Sequence, residues 1–184
     1  MDFKDALKLF TPVNEQEKKD QKLILDYIDY FPGNMLVRDN NLAHFTSSAL
    51  ILNPQHDKVL MVYHRLRQTW SWTGGHCDGS DDFLEVAIKE AKEETGLTHL
   101  EPYSKDILSL DVFAVSGHLK KGEYVPAHLH FNVGYLLIAS EDQALKVCEE
   151  ENLAVEWVPI NFINEDHFST SDVILYQKLL CHVL

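Results

Sequence analysis

The sequence predicts an α+β domain in which a mixed β-sheet lies between helices. Segments 43–64 and 128–139 carry strand-like patterning and stand on either side of a helical segment that ends at Gly96. A further helical run occupies residues 171–183. Strands in two groups, with one helix between them and another at the end, bury both faces of a sheet and give an α/β/α sandwich.

Residues 1–10 read as a short amphipathic helix through Phe3, Ala6, Leu7 and Phe10, broken by Thr11-Pro12. Residues 14–31 read as a second helix, polar at first and then apolar at Leu23, Ile24, Tyr27, Ile28 and Phe31, with Pro32-Gly33-Asn34 as its stop. Residues 1–40 are therefore expected as a helical extension that covers the core of a domain at 41–184. A homodimer contact is the other use such an extension has.

Residues 43–52 and 58–64 are apolar, strand-like runs joined by the turn-forming Asn53-Pro54-Gln55-His56-Asp57, which predicts a hairpin. Trp70, Trp72 and Thr73 lead into a loop at Gly74-Gly75. The next helix has Ser80, Asp81 and Asp82 to cap its start, Leu84, Ala87, Ile88 and Ala91 as its apolar stripe, and Gly96 as its end. Residues 107–115 read as a strand, 116–126 as a polar loop, 128–139 as a long strand and 155–158 as a short one. Along the long strand His128, His130 and Asn132 share one face, and Leu129, Phe131 and Val133 share the other.

Composition narrows the class. The chain is 45% hydrophobic and 24% charged, ordinary for a globular protein. No run of eighteen apolar residues is present, so no membrane span is expected. The N-terminus lacks a basic region followed by an apolar run, and the three cysteines are odd in number and far apart. Both features fit a reducing cytoplasm. A net charge of −13 argues against binding duplex nucleic acid. It also disfavours phosphates at long range, so a phosphate ligand would need local neutralisation by metal.

The most informative stretch is Lys89-Glu90-Ala91-Lys92-Glu93-Glu94-Thr95-Gly96-Leu97. Glu90, Glu93 and Glu94 stand at offsets of three and four, which brings helical side chains together. Like charges there repel, and a hard divalent cation such as Mg²⁺ or Mn²⁺ turns the repulsion into attraction through oxygen ligands. A solvated acidic face is the plainer reading of the same spacing. The glycines before the helix favour a ligand site, because a glycine segment running into an acid-faced helix suits a metal diphosphate.

Residues 75–97 resemble the Nudix box: Gly, five residues, Glu, seven residues, then Arg-Glu-apolar-any-Glu-Glu-any-Gly-apolar. Gly75, Glu90, Ala91, Glu93, Glu94, Gly96 and Leu97 match in register, while Asp81 stands at the first Glu and Lys89 at the Arg. The resemblance implies the Nudix fold and a Mg²⁺-dependent (or Mn²⁺-dependent) pyrophosphohydrolase, cleaving a nucleoside diphosphate linked to another moiety by attack of water at phosphorus. It implies Glu90, Glu93 and Glu94 as metal ligands, with the Gly75 carbonyl as a further oxygen. Glu90 is the first candidate for general base, with Glu149, Glu150 and Glu151 as candidates from a later loop. Lys89 and Asp81 are carried over as catalytic positions. Lys89 keeps the charge but not the planar fork of Arg, and Asp81 is one methylene short. These departures also fit a non-catalytic Nudix domain that binds a nucleotide derivative or a protein.

Around the box, His76, Arg65, His128 and His130 are candidates for contacts with a small-molecule diphosphate. His76 can contact phosphate or metal, or simply brace the loop. His128 and His130 can line a substrate cleft, hold a third metal, or lie on an exposed sheet face. Trp70 and Trp72 can stack a base or fill the core. Cys77 is a candidate nucleophile, with nothing nearby to lower its pKa.

Overall fold

The computed structural model describes residues 2–31, 33–120 and 122–182. Helix α1 (Phe3–Leu9) starts at Asp2, whose side chain accepts the Lys4 N–H, and α2 (Glu15–Tyr30) starts at Asn14, which accepts the Glu17 N–H. Strands β1 (Ala43–Leu52), β2 (Lys58–His64), β3 (Thr69–Ser71) and β4 (Thr73–His76) follow. Helix α3 (Phe83–Thr95) is capped by Asp82 and ends at Gly96 in the left-handed region, φ 75°. Then come β5 (Glu101–Pro102), β6 (Ser109–Val115), β7 (His118–Lys120), β8 (Glu123–Val125), β9 (His128–Ile138), β10 (Asn152–Pro159) and α4 (Thr170–Leu180).

The main sheet runs β10-β2-β1-β9-β5, with β3 on β2, β4 on β1 and β6 on β9. Strands β1 and β9 pair in parallel from Ala43↔Leu129 to Leu52↔Ile138, while the other pairs are antiparallel. All ten residues of β1 are buried, as a central strand with both faces covered requires. On one face Phe45, Ile51, Phe131 and Val133 pack with Phe83, Ala87 and Ala91 of α3. On the other, Leu50, Leu52, Trp72 and Leu136 pack with Val173, Tyr176 and Leu179 of α4. The sandwich expected from the sequence is therefore present, with helices on both faces.

The N-terminal helices join the first of these cores. Leu7 and Ile24 are fully buried in the same cluster as the α3 residues. A buried charge cluster ties α2 to the opposite side: Lys178 Nζ of α4 lies 3.0 Å from Glu17 of α2 and 2.6 Å from Asp111 of β6.

Four local expectations are corrected. Gly74-Gly75 is not loop but strand, because β4 runs against β1 with Ser48↔Gly74 and Ser47↔Gly75, and the bend comes later at Asp78-Gly79. The polar segment 116–126 contains a hairpin, β7 with β8, paired His118↔Val125. The last strand starts at Asn152 rather than 155, since Asn152 pairs with His64 ahead of a bulge. The buried stripe of α3 is centred on Phe83, Val86, Ala87 and Ala91, leaving Leu84 and Ile88 half-buried at its flank. The expected helix stop at Pro32 and the helix end at residue 183 lie outside the described residues.

Candidate active site

Strand β4 and helix α3 build the site between them. Gly74 must be glycine because a Cβ there would stand 2.7 Å from the Ser47 carbonyl oxygen of β1. Gly75 faces the helix, and a Cβ on it would overlap the Glu90 carboxylate. The glycine pair therefore lets α3 lay its acidic side chains directly on the strand backbone.

The three box glutamates have three different environments. Glu94 is 4% exposed. Its Oε1 accepts the Gly74 N–H at 2.9 Å and its Oε2 accepts the Asn152 side-chain amide at 2.8 Å. Burial pushes its carboxyl up to about 7 against the lowering effect of those two hydrogen bonds. Glu90 is half-buried against Gly75, and burial raises its pKa while the nearby Lys89 charge lowers it. Glu93 has an exposed side chain and pairs with Lys89 at 3.5 Å. The carboxylates are neighbours on one helix, yet they do not converge on one point. Among the described residues, the only group of three candidate ligands with all ligand atoms within 4.8 Å is a histidine cluster described below.

Lys89 Nζ lies 3.3 Å from Glu90 and 3.5 Å from Glu93. Asp81 is exposed and, among the described residues, forms no ion pair with Lys89 or any other cation. Glu151, in the turn before β10, adds a negative charge that raises the pKa of both Glu90 and Glu94. Two desolvated carboxylates with raised pKa values, beside a third and a single lysine, form an oxygen donor set short of positive charge. That set fits a hard divalent cation.

Arg65 spends its guanidinium on the Glu149 carbonyl, at 3.1 and 2.7 Å, and its N–H on the Glu151 carbonyl at 2.8 Å, so it braces the acidic turn. His128 and His130 are hydrogen-bonded to each other, Nε2 to Nε2 at 3.1 Å, on a sheet face where His128 is buried and His130 is half-buried. The His76 ring centroid lies 4.9 Å from that of His130. Trp72 is buried in the core and Trp70 is half-buried against Tyr63. Cys77 is buried and its thiol is pushed up to about 12, which keeps it protonated and unsuited to nucleophilic attack.

Three residues at the site carry no signal in the sequence. Asn152 meets Glu94 only because β10 lies across β2. Arg38, ahead of β1, clamps Asp78 in the glycine turn through two bonds of 2.7 and 2.6 Å. His44 joins the histidines because the parallel register sets it opposite His130.

The NUDIX domain model matches residues 43–178, most of the chain and all of this site except Arg38. The chain belongs to the Nudix family. Membership places this Nudix protein among hydrolases of diphosphate bonds. No curated protein sequence matches the chain. Solved structures share its fold at low identity. A NUDIX family hydrolase from Clostridium perfringens is 20% identical, with a TM-score of 0.54 over 77% of this chain and 98% of that one. The E. coli dihydroneopterin triphosphate pyrophosphohydrolase is 16% identical, with a TM-score of 0.55 over 76% and 96%. The NUDIX domain of Shewanella oneidensis NrtR, solved with ADP ribose, is 15% identical, with a TM-score of 0.53 over 86% and 97%.

Proposed function

We propose that this Nudix protein is a Mg²⁺-dependent pyrophosphohydrolase that cleaves a nucleoside diphosphate linked to another moiety. The observation that carries the reading is the seating of Glu90 and Glu94 on the Gly74-Gly75 backbone, with Glu93 beside them, in an environment poor in positive charge. Glu90, Glu93 and Glu94 would hold the metal, with the Gly75 carbonyl as a further oxygen. Each Glu94 oxygen keeps a second lone pair after its hydrogen bond, so its present partners orient it without using it up. When bound, the metal neutralises charge that gathers on the phosphate oxygens and makes its water more acidic.

The chain's own groups do the remaining work. Gly74 N–H and Asn152 fix the direction of Glu94. Lys89 holds Glu90 and Glu93 in register along the helix. Glu90, half-desolvated with a raised pKa, is suited to take a proton from the attacking water, and Glu151 is the candidate from the later loop. The net charge of −13 leaves attraction of the diphosphate to the metal alone. Three free cysteines suit a reducing cytoplasm as the working compartment.

One observation favours a second reading, a Nudix domain that binds a nucleotide derivative without cleaving it. Lys89 pairs within the helix with Glu90 and Glu93, and among the described residues Asp81 forms no ion pair, so no ionic link joins the first box carboxylate to Lys89. The NrtR domain with ADP ribose shows that this fold can be solved with a nucleotide ligand. A panel of nucleoside diphosphate derivatives, assayed with Mg²⁺ and with Mn²⁺, separates the two. Turnover abolished by EDTA and by the exposed substitution Glu93→Gln supports the hydrolase. Calorimetric binding with no product supports the second reading.

A further inference from the structure

On the α4 side of the sheet, four imidazoles from three strands meet: His44 of β1, His76 of β4, and His128 and His130 of β9. The His44 ring centroid lies 5.1 Å from His76, 4.8 Å from His128 and 4.9 Å from His130. The register creates the cluster, since His44 stands opposite His130 in the parallel pair and Thr46 stands opposite His76 in the antiparallel one. Packing four imidazoles together, with His44 and His128 buried, has no stabilising logic of its own, because each ring brings polar nitrogens that need partners.

The hydrogen bonds decide which nitrogens carry lone pairs. His44 Nδ1 lies 3.0 Å from the Asn40 carbonyl, which can only accept, so Nδ1 bears the proton and Nε2 the lone pair. That Nε2 is buried and, among the described residues, has no hydrogen-bond partner, on a residue 4% exposed. His128 Nδ1 lies 2.8 Å from the Pro126 carbonyl, so it too donates, and its Nε2 accepts. The donor to that Nε2 is His130 Nε2, at 3.1 Å, which leaves the lone pair of His130 on Nδ1. His44 and His130 are thus held by chains of hydrogen bonds that end on backbone carbonyls. A carbonyl taking the far N–H is the usual support of a metal-binding imidazole, fixing its tautomer and raising its basicity.

We propose that His44, His76 and His130 form a second cation site, separate from the box carboxylates, that takes one borderline transition-metal dication of the Zn²⁺ or Co²⁺ class, with His128 as the positioning residue for His130. The ligand atoms of the three rings lie within 4.8 Å of one another. Tetrahedral coordination at about 2.0–2.1 Å per nitrogen brings nitrogens to about 3.4 Å apart, so the rings close in by small rotations. Three protein nitrogens leave a fourth position for water or a phosphate oxygen, and His76 and His130 are each partly open to solvent. Imidazole favours these dications and discriminates against Mg²⁺, so the two sites load with different metals. Desolvation together with the charges of the neighbouring imidazoles drives the His130 pKa down to about 3, and burial also lowers that of His44. Neutral rings are poor holders of phosphate and good ligands for metal.

The test titrates the metal-stripped full chain with Co²⁺ in a large excess of Mg²⁺, following cobalt absorption and the metal retained after gel filtration. One Co²⁺ per chain with a nitrogen-ligand spectrum is expected, displaced by Zn²⁺. His44→Gln and His76→Gln should each weaken Co²⁺ about tenfold or more, and Glu93→Gln should leave it unchanged. Because His44 is buried, circular dichroism checks its fold, and the more exposed His76 variant gives an independent reading. No cobalt retained over Mg²⁺, or retention lost in Glu93→Gln and kept in both histidine variants, overturns the proposal. Neither readout depends on hydrolysis, so the site stands or falls apart from the proposed activity.

Discussion

Glu94 accepts the backbone N–H of Gly74 at 2.9 Å, which couples helix α3 to the sheet through the very group proposed to bind metal. A carboxylate at this depth is costly when ionised and inexpensive when protonated. The two states of Glu94 therefore differ in stability, and that difference is measurable in the metal-free protein.

In EDTA, Glu94 should make stability fall as pH rises. Its folded pKa of about 7 lies above the ordinary carboxylate value of 4.5, so the folded chain holds an extra proton between them. The contribution is fully present below pH 4.5 and lost as pH passes 7, on the order of 3 kcal/mol in all. His130 and His44 act in the opposite sense, since their lowered pKa values cost stability as pH falls below the imidazole range. The difference between wild type and Glu94→Gln isolates the carboxyl. Asn152 needs only an amide rotation to accept from the substituted side chain, because its Oδ1 has no other partner among the described residues. Urea denaturation at pH 5 and pH 8 checks this, and parallel stabilities for the two proteins would refute it.

The two strand glycines should separate fold from function. In Gly75→Ala the atoms nearest the new methyl are the far end of Glu90, which can swing aside. The fold should persist, with turnover down about tenfold or more as Glu90 leaves its place. In Gly74→Ala the methyl meets the Ser47 carbonyl and the Ser48 Cα at 2.7 and 2.8 Å, backbone that cannot yield. That variant should lose about 1–3 kcal/mol of stability. Melting temperature and turnover measured on both variants decide the matter, and equal behaviour would contradict the separation.

If the departures at Asp81 and Lys89 slow the enzyme, restoring both should quicken it. The Arg fork can pair two carboxylates at once, which a lysine point charge holds less rigidly. Asp81→Glu with Lys89→Arg is expected to raise kcat/KM about threefold or more, by more than the product of the single changes. A double variant no faster than wild type would remove these positions from the account.

How far the sequence reveals this protein depends on how local each feature is. The α3 helix, its Asp82 cap and its Gly96 stop are local, and their residues announce them. The 43–64 hairpin is equally plain, because its two runs flank a turn-rich segment. The strand state of Gly74-Gly75 is hidden, since glycine usually marks a bend and only the neighbouring β1 makes it extended. Three glutamates at helical spacing are legible, whereas their unequal burial depends on the strand beneath them. The histidine cluster is half-legible: the alternation puts His128 and His130 on one face, but His44 and His76 arrive through pairings between distant segments.

Lys178 tests whether the N-terminal helices are structurally integral to the domain. Its side chain is 7% exposed and lies between Glu17 of α2, fully buried, and Asp111 of β6, 4% exposed. Glu17 also accepts the Val13 N–H at 3.0 Å, so the cluster anchors the entry to α2 as well as its contact with the sheet. Lys178→Met keeps the bulk but leaves two buried carboxylates without a cation, at a cost of about 3–5 kcal/mol. Adding Glu17→Gln and Asp111→Asn removes the stranded charges and should recover most of that loss. Chemical denaturation of the single and triple variants reads the effect, with hydrogen exchange of α2 amides showing whether the helix detaches. A loss under about 1 kcal/mol in the single variant would mean that α2 is held by Ile24 and its apolar neighbours alone.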